Sequence, residues 1–438
     1  MGNCVRFVVS VLAGLMVLTN AGTTCAAAES ASVAEENAQL QQRVEKLDKE
    51  LQDIKKTVSQ RAASGDTQTR LPVWSSLDIQ LYGYLKLDAA YDSSQTDNGD
   101  YAKWVERENA NRNDDQFNMT ANETRLGALL TGPDGEMKAS GRVEIDFYGG
   151  GTENKANPMM RHAYMKLDWP EDRFNIIAGQ TSDVISPLLP STVNYSVCWW
   201  VGNIGYRRPQ VRLTKEYGLD ANTDLKLESA LARTIGRDNT SLAGTMDSGE
   251  DAGFPTLQGR VSVSHPLFGR TDPSVVGVSG HWGQEEYDTT ASGGNKEFRT
   301  WSLNLDVTQP VNKWLSIKSE IFTGQDLDAY LGGIGQGVTT GAGSNQDEEV
   351  GSKGGWIAAS LGPWDKARFN VGVAMDDVDR DNVNAGERTL NRSVFGNVYY
   401  SLNKNTEWAF ELSQWRTEYR GSGDADSVRA QMSLIYKF

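Results

Sequence analysis

Charged and polar side chains recur at every second position of many short segments, an arrangement that would place them together on one face of a strand. The segment 138–147 shows the pattern, because its apolar residues alternate with Lys138, Ser140, Arg142, Glu144 and Asp146. Around a water-filled space, basic groups on one wall and acidic groups on another would create a transverse electric field that orients polar solutes. The pattern therefore points to selection of solutes by charge.

The candidates for such a field form two groups of opposite charge. The basic candidates are Arg125, Arg142, Lys166, Arg212, Arg260, Lys318 and Arg429. The acidic candidates are Glu123, Glu144 and Asp183, with Asp146, Glu320 and Glu411 as further opposing groups. A mainly basic wall would favour carboxylates. Each residue could instead be an ordinary hydrated side chain on the water-facing surface, with no role in binding a solute.

Catalysis has little support in the sequence. The chain has three histidines, His162, His265 and His281, and none has a Ser and an Asp at matching depth in a neighbouring predicted strand. A hydrolytic triad needs that arrangement. We predict no enzyme, no cofactor and no metal site. The net charge of −15 argues against nucleic acid as a partner.

Strands must position these side chains. In the last fourteen residues, one face carries Val428, Ala430, Met432, Leu434, Tyr436 and Phe438, and polar residues dominate the other. About 10 residues suffice for a tilted strand to cross a bilayer. A lone strand would leave backbone groups unpaired in lipid, so a closed ring is required. Similar segments recur from 77–91 to 426–438. We therefore predict an all-β, antiparallel transmembrane barrel of about 16 strands over 77–438. A barrel of this size is wide enough to enclose a water channel.

The predicted connections alternate in length, as in outer-membrane barrels. Short polar turns fall at 309–312, 362–365 and 403–405, and long ones at 92–115, 181–208, 234–253, 325–352 and 377–389. Aromatic residues near the strand ends would form interfacial girdles, although some could belong to the core of a soluble β protein. These candidates are Trp169, Trp282, Trp314, Trp364, Trp408 and Tyr436.

One long connection differs from the others in composition. Residues 181–209 contain apolar side chains and two prolines, Pro187 and Pro190. An apolar loop is unsuited to a wet surface, so we predict that it folds inward against the barrel wall, where Asp183 could face the pore. Packing at a subunit interface is the alternative.

The amino-terminal part predicts three segments. Residues 1–28 have the positive start, apolar stretch and small-residue end of an export signal. Residues 29–61 predict a coiled coil, because apolar residues at alternating spacings of four and three form a narrow seam. The seam residues are Leu40, Val44, Leu47, Leu51, Ile54 and Val58. A single amphipathic helix is the alternative reading, and 62–76 would be a linker.

Several short motifs, in this order, resemble the DcaP-like trimeric porin family of the Gram-negative outer membrane. Besides the signal, the heptads and the terminal Phe438, they are the segments 82–88, 124–127, 161–164, 178–181 and 207–212. The resemblance implies a homotrimer, a periplasmic coiled coil and passive uptake of small anions such as dicarboxylates. It also implies an outer-membrane location in contact with lipid and lipopolysaccharide, and recognition of Phe438 by the barrel-insertion machinery.

Two other functions remain open at this point. The barrel could be a non-selective general porin for small polar solutes, because the loops 325–352 and 376–387 are acidic and would repel anions. It could also be a structural anchor that works through its coiled coil.

Overall fold

The structure is a computed structural model, and it describes the barrel region with a few gaps. It covers Lys46, Lys49 and residues 77–107, 114–133, 135–152, 155–236, 248–268, 272–287, 296–339 and 347–438. The predicted export signal (1–28), coiled coil (29–61) and linker (62–76) lie outside the described residues, apart from the two lysines, which are helical. Those three segments stay predictions.

Sixteen antiparallel strands in the described residues form one closed sheet. They are β1 Asp78–Asp92, β2 in two parts (β2a Gln116–Thr120 and β2b Arg125–Thr131), β3 Lys138–Asp146, β4 Met159–Trp169, β5 Phe174–Ser182, β6 Arg207–Gly218, β7 Asp224–Ala232, β8 Thr256–His265, β9 Ser274–Tyr287, β10 Lys296–Asn312, β11 Leu315–Gln325, β12 Gly351–Trp364, β13 Ala367–Val378, β14 Arg388–Ser401, β15 Thr406–Tyr419 and β16 Ala425–Lys437. Each strand pairs with the next, and β1 closes the ring against β16. The predicted barrel and its strand count are confirmed.

Two details differ from the sequence prediction. The second strand is interrupted at 121–124, where the Thr124 N–H donates to the Ala121 carbonyl (2.9 Å), yet both parts pair with β1. The turn predicted at 309–312 was wrong, because these residues belong to β10, which pairs with β11 through an irregular register between Pro310 and Asn312. The turn itself is therefore only Lys313 and Trp314. Likewise, residues 362–364 of the turn predicted at 362–365 belong to β12, and that turn is only Asp365 and Lys366.

The two faces of the sheet have the polarity expected in lipid. Along β16, Leu434 and Tyr436 are 49% and 50% exposed, whereas Arg429 and Gln431 are 1% and 2% exposed. The apolar side chains thus lie on the outside of the ring and the polar ones on the inside. In water this arrangement would be unfavourable, but a surrounding hydrocarbon layer removes the apolar face from water.

The connections alternate between the two ends of the barrel. The long ones follow odd-numbered strands and the short ones follow even-numbered strands, with the β9–β10 (288–295) and β15–β16 (420–424) connections as brief exceptions among the former. The long connections contain the helix Ser248–Asp251, the 3-10 helices Asp328–Tyr330, Gly333–Gly335 and Arg380–Asn382, and the two-residue pairs Gly151–Thr152 with Lys155–Ala156 and Val338–Thr339 with Glu348–Glu349. In the part of the chain that the structure covers, no helix combines the length and apolar character needed to cross a bilayer.

Aromatic residues gather near the short-turn end. Trp314 and Trp364 are exposed, and their ring centroids lie 6.3 Å apart, while Phe369 follows at 5.9 Å from Trp364. Trp169 lies 5.6 Å from Phe174 across the β4–β5 turn. These rings face outward near the strand ends, where an interfacial girdle would lie.

Ring closure depends on a glycine in β1. The N–H and carbonyl of Gly83 exchange hydrogen bonds with those of Phe438 (both 3.1 Å), and a Cβ at Gly83 would lie 2.2 Å from the Arg125 carbonyl oxygen. Gly83→Ala should therefore lower the free energy of unfolding by about 1–3 kcal/mol, because backbone must shift. Urea titration of detergent-folded protein would measure it. Gly423→Ala is the control, since nothing lies within 4 Å of its added Cβ, and equal stability of the two variants would contradict the prediction.

Candidate functional site

The connection between β5 and β6, residues 183–206, lies against the inward face of the barrel, and we call it the inward loop. Its apolar side chains are buried: Ile185 and Ile204 pack with Phe322 of β11 and Tyr330, and Val201 packs with Trp356 of β12. The sequence prediction gave 181–209 for this segment. In the structure, 181–182 and 207–209 belong to β5 and β6.

Side chains on the inward faces of several strands hold the middle of the inward loop. The backbone N–H of Leu188 donates to Glu320 Oε1 (2.8 Å) on β11, and that of Val193 donates to Glu411 Oε2 (2.6 Å) on β15. Further bonds run from Val184 N to Gln258 on β8 (2.8 Å), from Ser186 N to Ser279 on β9 (3.3 Å) and from Tyr399 on β14 to the Thr192 carbonyl (2.7 Å). The loop is therefore fixed at well-separated points around the barrel wall.

Asp183 joins the two ends of the inward loop. Its carboxylate accepts from the Tyr206 N–H (2.8 Å) and from Gln258 Nε2 (2.7 Å), and it pairs with Arg208 Nε at 2.8 Å. Asp183 is 4% exposed and Arg208 is fully buried, with its guanidinium 3.8 Å from the ring centroid of Tyr330. The carboxylate of Asp183 is thus occupied by protein donors.

An aromatic cluster supports the other side of the inward loop. Tyr195 lies 4.2 Å from Tyr148 and 5.0 Å from Tyr101 between ring centroids, and Trp199 is in edge contact with it at 6.3 Å. Burial raises the pKa of Tyr195 well above its usual value, so its hydroxyl stays protonated and donates to Asp146 Oδ2 (3.0 Å). Burial likewise raises the pKa of the Cys198 thiol, which makes this cysteine an unreactive packing group.

Between the inward loop and the strands β2–β4 lies a cavity of about 370 Å³. Four arginines and three carboxylates line it: Arg125, Arg142, Arg161, Arg207, Glu123, Glu144 and Asp183. The loop side contributes Pro187, Leu189, Thr192 and Asn194. Five of the ten site residues predicted from the sequence thus meet at one cavity.

Glu144 neutralises much of this basic wall. Its carboxylate accepts from Arg142 Nη2 (2.6 Å), from Arg161 Nε (2.7 Å) and from the Tyr82 hydroxyl (2.7 Å). Arg161 also donates to Asp146 Oδ2 (2.6 Å). These two arginines therefore have carboxylate partners.

Arg125 and Arg207 keep hydrogen-bond donors available. Arg125 Nε lies 3.5 Å from Glu144 Oε1 but makes no hydrogen bond, and Arg207 Nε and Nη2 are buried without an acceptor among the described residues. Both guanidinium groups lie over aromatic rings: Arg125 over Tyr84 (5.1 Å), and Arg207 over Tyr206 (4.6 Å). The rings fix the orientation of both guanidinium groups without using their N–H groups, and both residues line the cavity, so they give it positive charge suited to an anion.

The remaining predicted site residues lie elsewhere or bind other protein groups. Glu123 at the cavity binds Lys86, which also donates to the Val193 carbonyl (3.2 Å). Five basic candidates lie outside the cavity lining: Lys166 near Asp168 (3.3 Å), Arg212 with Gln210 (3.1 Å), Arg260 between Asp306 (2.7 Å) and Glu228 (3.1 Å), the half-buried Lys318, and the buried Arg429 with Asp92 (2.6 Å). Glu320 and Glu411 hold the inward loop instead of facing a solute.

Sequence reasoning missed Arg161 and Arg207 as site residues. The register between β3 and β4 shifts at Glu144 and Ile145, so that Arg161 and its neighbour His162 are both buried on the inside. Such a bulge breaks the period of two that identifies inward positions. Arg207 and Arg208 are likewise both buried where β6 begins. In the sequence, the two adjacent basic residues near the start of a predicted strand could have indicated that both belong to the site.

A family comparison identifies the chain. The model of the DcaP outer membrane protein family matches residues 16–261, which is more than half of the sequence. The chain belongs to the DcaP outer membrane protein family. The family resemblance predicted from the sequence is thereby confirmed. No curated protein matches the chain in sequence.

Solved structures share the fold of this DcaP family member. The crystal structure of the outer membrane channel DcaP of Acinetobacter baumannii matches with a TM-score of 0.67 and 19% identity over 84% of this chain and 99% of that one. OmpF of Salmonella typhi with daunomycin gives 0.54 and 11%, covering 83% and 98%. The trimer form of Vibrio cholerae OmpT gives 0.51 and 10%, covering 83% and 100%. At these identities the likeness concerns the porin fold alone.

Proposed function

We propose that this protein is an outer-membrane porin that conducts small polar solutes by passive diffusion and favours small anions such as dicarboxylates. The carrying observation is the 370 Å³ cavity under the inward loop, where Arg125 and Arg207 have N–H donors without protein acceptors. The inward loop, fixed across the barrel interior, would form the constriction of the channel. The proposal assigns no catalytic step to the chain.

The preference for anions follows from which charges are already paired. Arg142 and Arg161 donate hydrogen bonds to the Glu144 carboxylate, which also forms an ion pair with Arg125 at 3.5 Å, and Asp183 is held by Arg208. One carboxylate therefore serves three arginines, and Arg207 adds a further positive charge, so that positive charge dominates what a solute meets. Guanidinium groups bind carboxylates through charge-assisted hydrogen bonds. A dicarboxylate carries two such acceptors, one each for Arg125 and Arg207.

Acidic loop residues favour a second candidate, a porin without charge preference. Asp347, Glu348 and Glu349 lie in the β11–β12 connection, and the whole chain has a net charge of −15. A negative mouth would repel anions before they reach the cavity, although salt screens exposed charges over about 8 Å at physiological ionic strength. We favour the anion preference because the narrowest part of a channel decides its selectivity.

Family membership supports three further parts of the proposal. We infer a homotrimer with its coiled coil in the periplasm, an apolar outer face in contact with lipid and lipopolysaccharide, and recognition of Phe438 during insertion. The apolar outer side chains and the half-exposed Phe438 (49%) are compatible with the last two. In the alternative function that the sequence left open, a structural anchor, the coiled coil would be the working part and the barrel would not need to conduct solutes.

Recordings from planar bilayers would test the proposal. In a salt gradient, the wild-type protein should give a reversal potential of the sign for anion preference, and its currents should close in groups of three equal steps. A silent membrane would favour the anchor, and a cation-selective potential would contradict the role of the two arginines. Zero reversal potential would indicate the non-selective porin.

A further inference from the structure

Three carboxylates meet at the long-loop end of the barrel. Glu285 lies near the end of β9, and Asp326 and Asp328 directly follow β11. One oxygen from each of the three lies within 4.8 Å of the others. Glu285 and Asp326 are 1% and 0% exposed, whereas Asp328 is half-buried and so open to solvent on one side.

Asp326 is the unusual member of this group. Its backbone is fixed, because its N–H donates to the Val350 carbonyl (3.0 Å) and its carbonyl accepts from the Thr300 hydroxyl (2.7 Å). Yet neither oxygen of its fully buried carboxylate has a hydrogen-bond partner in the described residues. A buried carboxylate without a donor costs several kcal/mol unless it takes up a proton or binds a cation.

Gly337 lies close against two of the carboxylates. A Cβ at Gly337 would lie 2.4 Å from both Asp326 Oδ1 and Asp328 Oδ1, so any larger residue there would press on these oxygens. Asp328 is held in place because its Oδ1 accepts from the Ala329 N–H (2.8 Å). The three carboxylates thus come from a strand, β9, and from one connection, β11–β12.

We propose that Glu285, Asp326 and Asp328 bind a Ca²⁺ ion. Calcium takes oxygen ligands at about 2.3–2.6 Å, so two ligands on opposite sides of the ion lie up to roughly 5 Å apart, which fits the observed spacing. An all-carboxylate set is typical of hard cations and lacks the His and Cys ligands that zinc favours. Water and backbone carbonyls would complete the coordination on the open side of Asp328.

A cation here would connect the barrel wall to the segment that supports the inward loop. The carbonyl groups of the residues after Asp328 accept hydrogen bonds from the inward loop and from the start of β6. Leu331 O accepts from Trp200 N (2.7 Å), Tyr330 O from Gly205 N (2.8 Å) and Ala329 O from Arg208 Nη2 (3.1 Å). Calcium binding would therefore stabilise the base of the inward loop. This inference does not depend on the solute preference of the channel.

Calorimetric titration of the full-length protein with CaCl2, in detergent free of lipopolysaccharide and after treatment with EDTA, would test the site. We expect one Ca²⁺ per chain, with a Kd of about 0.1–1 mM as in other extracellular calcium sites. Asp326→Asn, which keeps the size of the side chain, should weaken binding at least tenfold. Calcium should raise the Tm of the wild type but not of this variant.

Asp379→Asn is the matched control. Asp379 lies in the segment 377–381, whose alternate aspartates resemble the start of a calcium loop, and it directly follows β13 in the β13–β14 connection. Asp328→Asn is a second test variant with the same expected loss, should Asp326→Asn fail to fold. The absence of saturable binding in the wild type, or equal affinity in all variants, would overturn the proposal and leave a protonated carboxyl at Asp326.

Discussion

Arg125→Gln combined with Arg207→Gln is expected to remove the anion preference of the channel. The two residues supply the guanidinium donors that lack protein acceptors at the cavity, while Glu144 and Asp183 would remain there. A hydrogen bond to a charged group contributes about 1.5–3 kcal/mol when buried. Since 1.4 kcal/mol is a factor of ten, even one such bond per solute would change the anion-to-cation permeability ratio by about tenfold.

Reversal potentials in a potassium chloride gradient would give this ratio, and currents in sodium succinate would report on a dicarboxylate. The matched control is Arg380→Gln, because Arg380 has a 66% exposed side chain in the β13–β14 connection and pairs with Glu418. It makes the same kind of change, Arg to Gln, and removes one positive charge without touching the cavity. A double variant with the permeability ratio of the wild type would show that these arginines do not select the solute.

Glu411→Ala is expected to release the middle of the inward loop and to increase single-channel conductance. Glu411 is 2% exposed and accepts from Val193 N (2.6 Å), from Asn194 N (3.4 Å) and from Asn397 Nδ2 (2.9 Å). Its loss would leave buried N–H groups without an acceptor, each at a cost of about 1–3 kcal/mol. The backbone at Val193 and Asn194 can regain hydrogen bonds with water by moving away from the wall, which would widen the passage.

Bilayer conductance and the largest sugar that enters proteoliposomes would measure this widening. Glu411→Gln is the control, because its amide oxygen can still accept from Val193 N, and its conductance should stay near that of the wild type. Glu320→Ala, at the other carboxylate anchor, should also increase conductance, since Glu320 accepts from Leu188 N (2.8 Å) and Trp356 Nε1 (3.1 Å). Unchanged conductance in a correctly folded Glu411→Ala variant would argue against the loop as the constriction.

The barrel itself could be predicted from the sequence, for a reason visible in β16. Its side chains alternate strictly between an apolar and a polar set, and backbone pairing in lipid permits only a closed ring for such a strand. The same alternation of apolar and polar side chains occurs in the other strands. It therefore predicts sixteen strands and places their ends to within a few residues. The prediction failed where the alternation is interrupted, at the broken β2 and at the ends of β10 and β12, which extend into predicted turns.

The candidate site needed the tertiary structure, because charge pairing joins residues that are far apart in sequence. Arg429 and Asp92 are 337 residues apart and neutralise each other, and Glu411 binds Val193 across 218 residues. The period of two shows that such side chains point inward, but it cannot distinguish an arginine with a partner from one with spare donors. Alternation along the chain therefore determined the ring and its two faces, whereas contacts between distant strands decided which inward charges remain available to a solute.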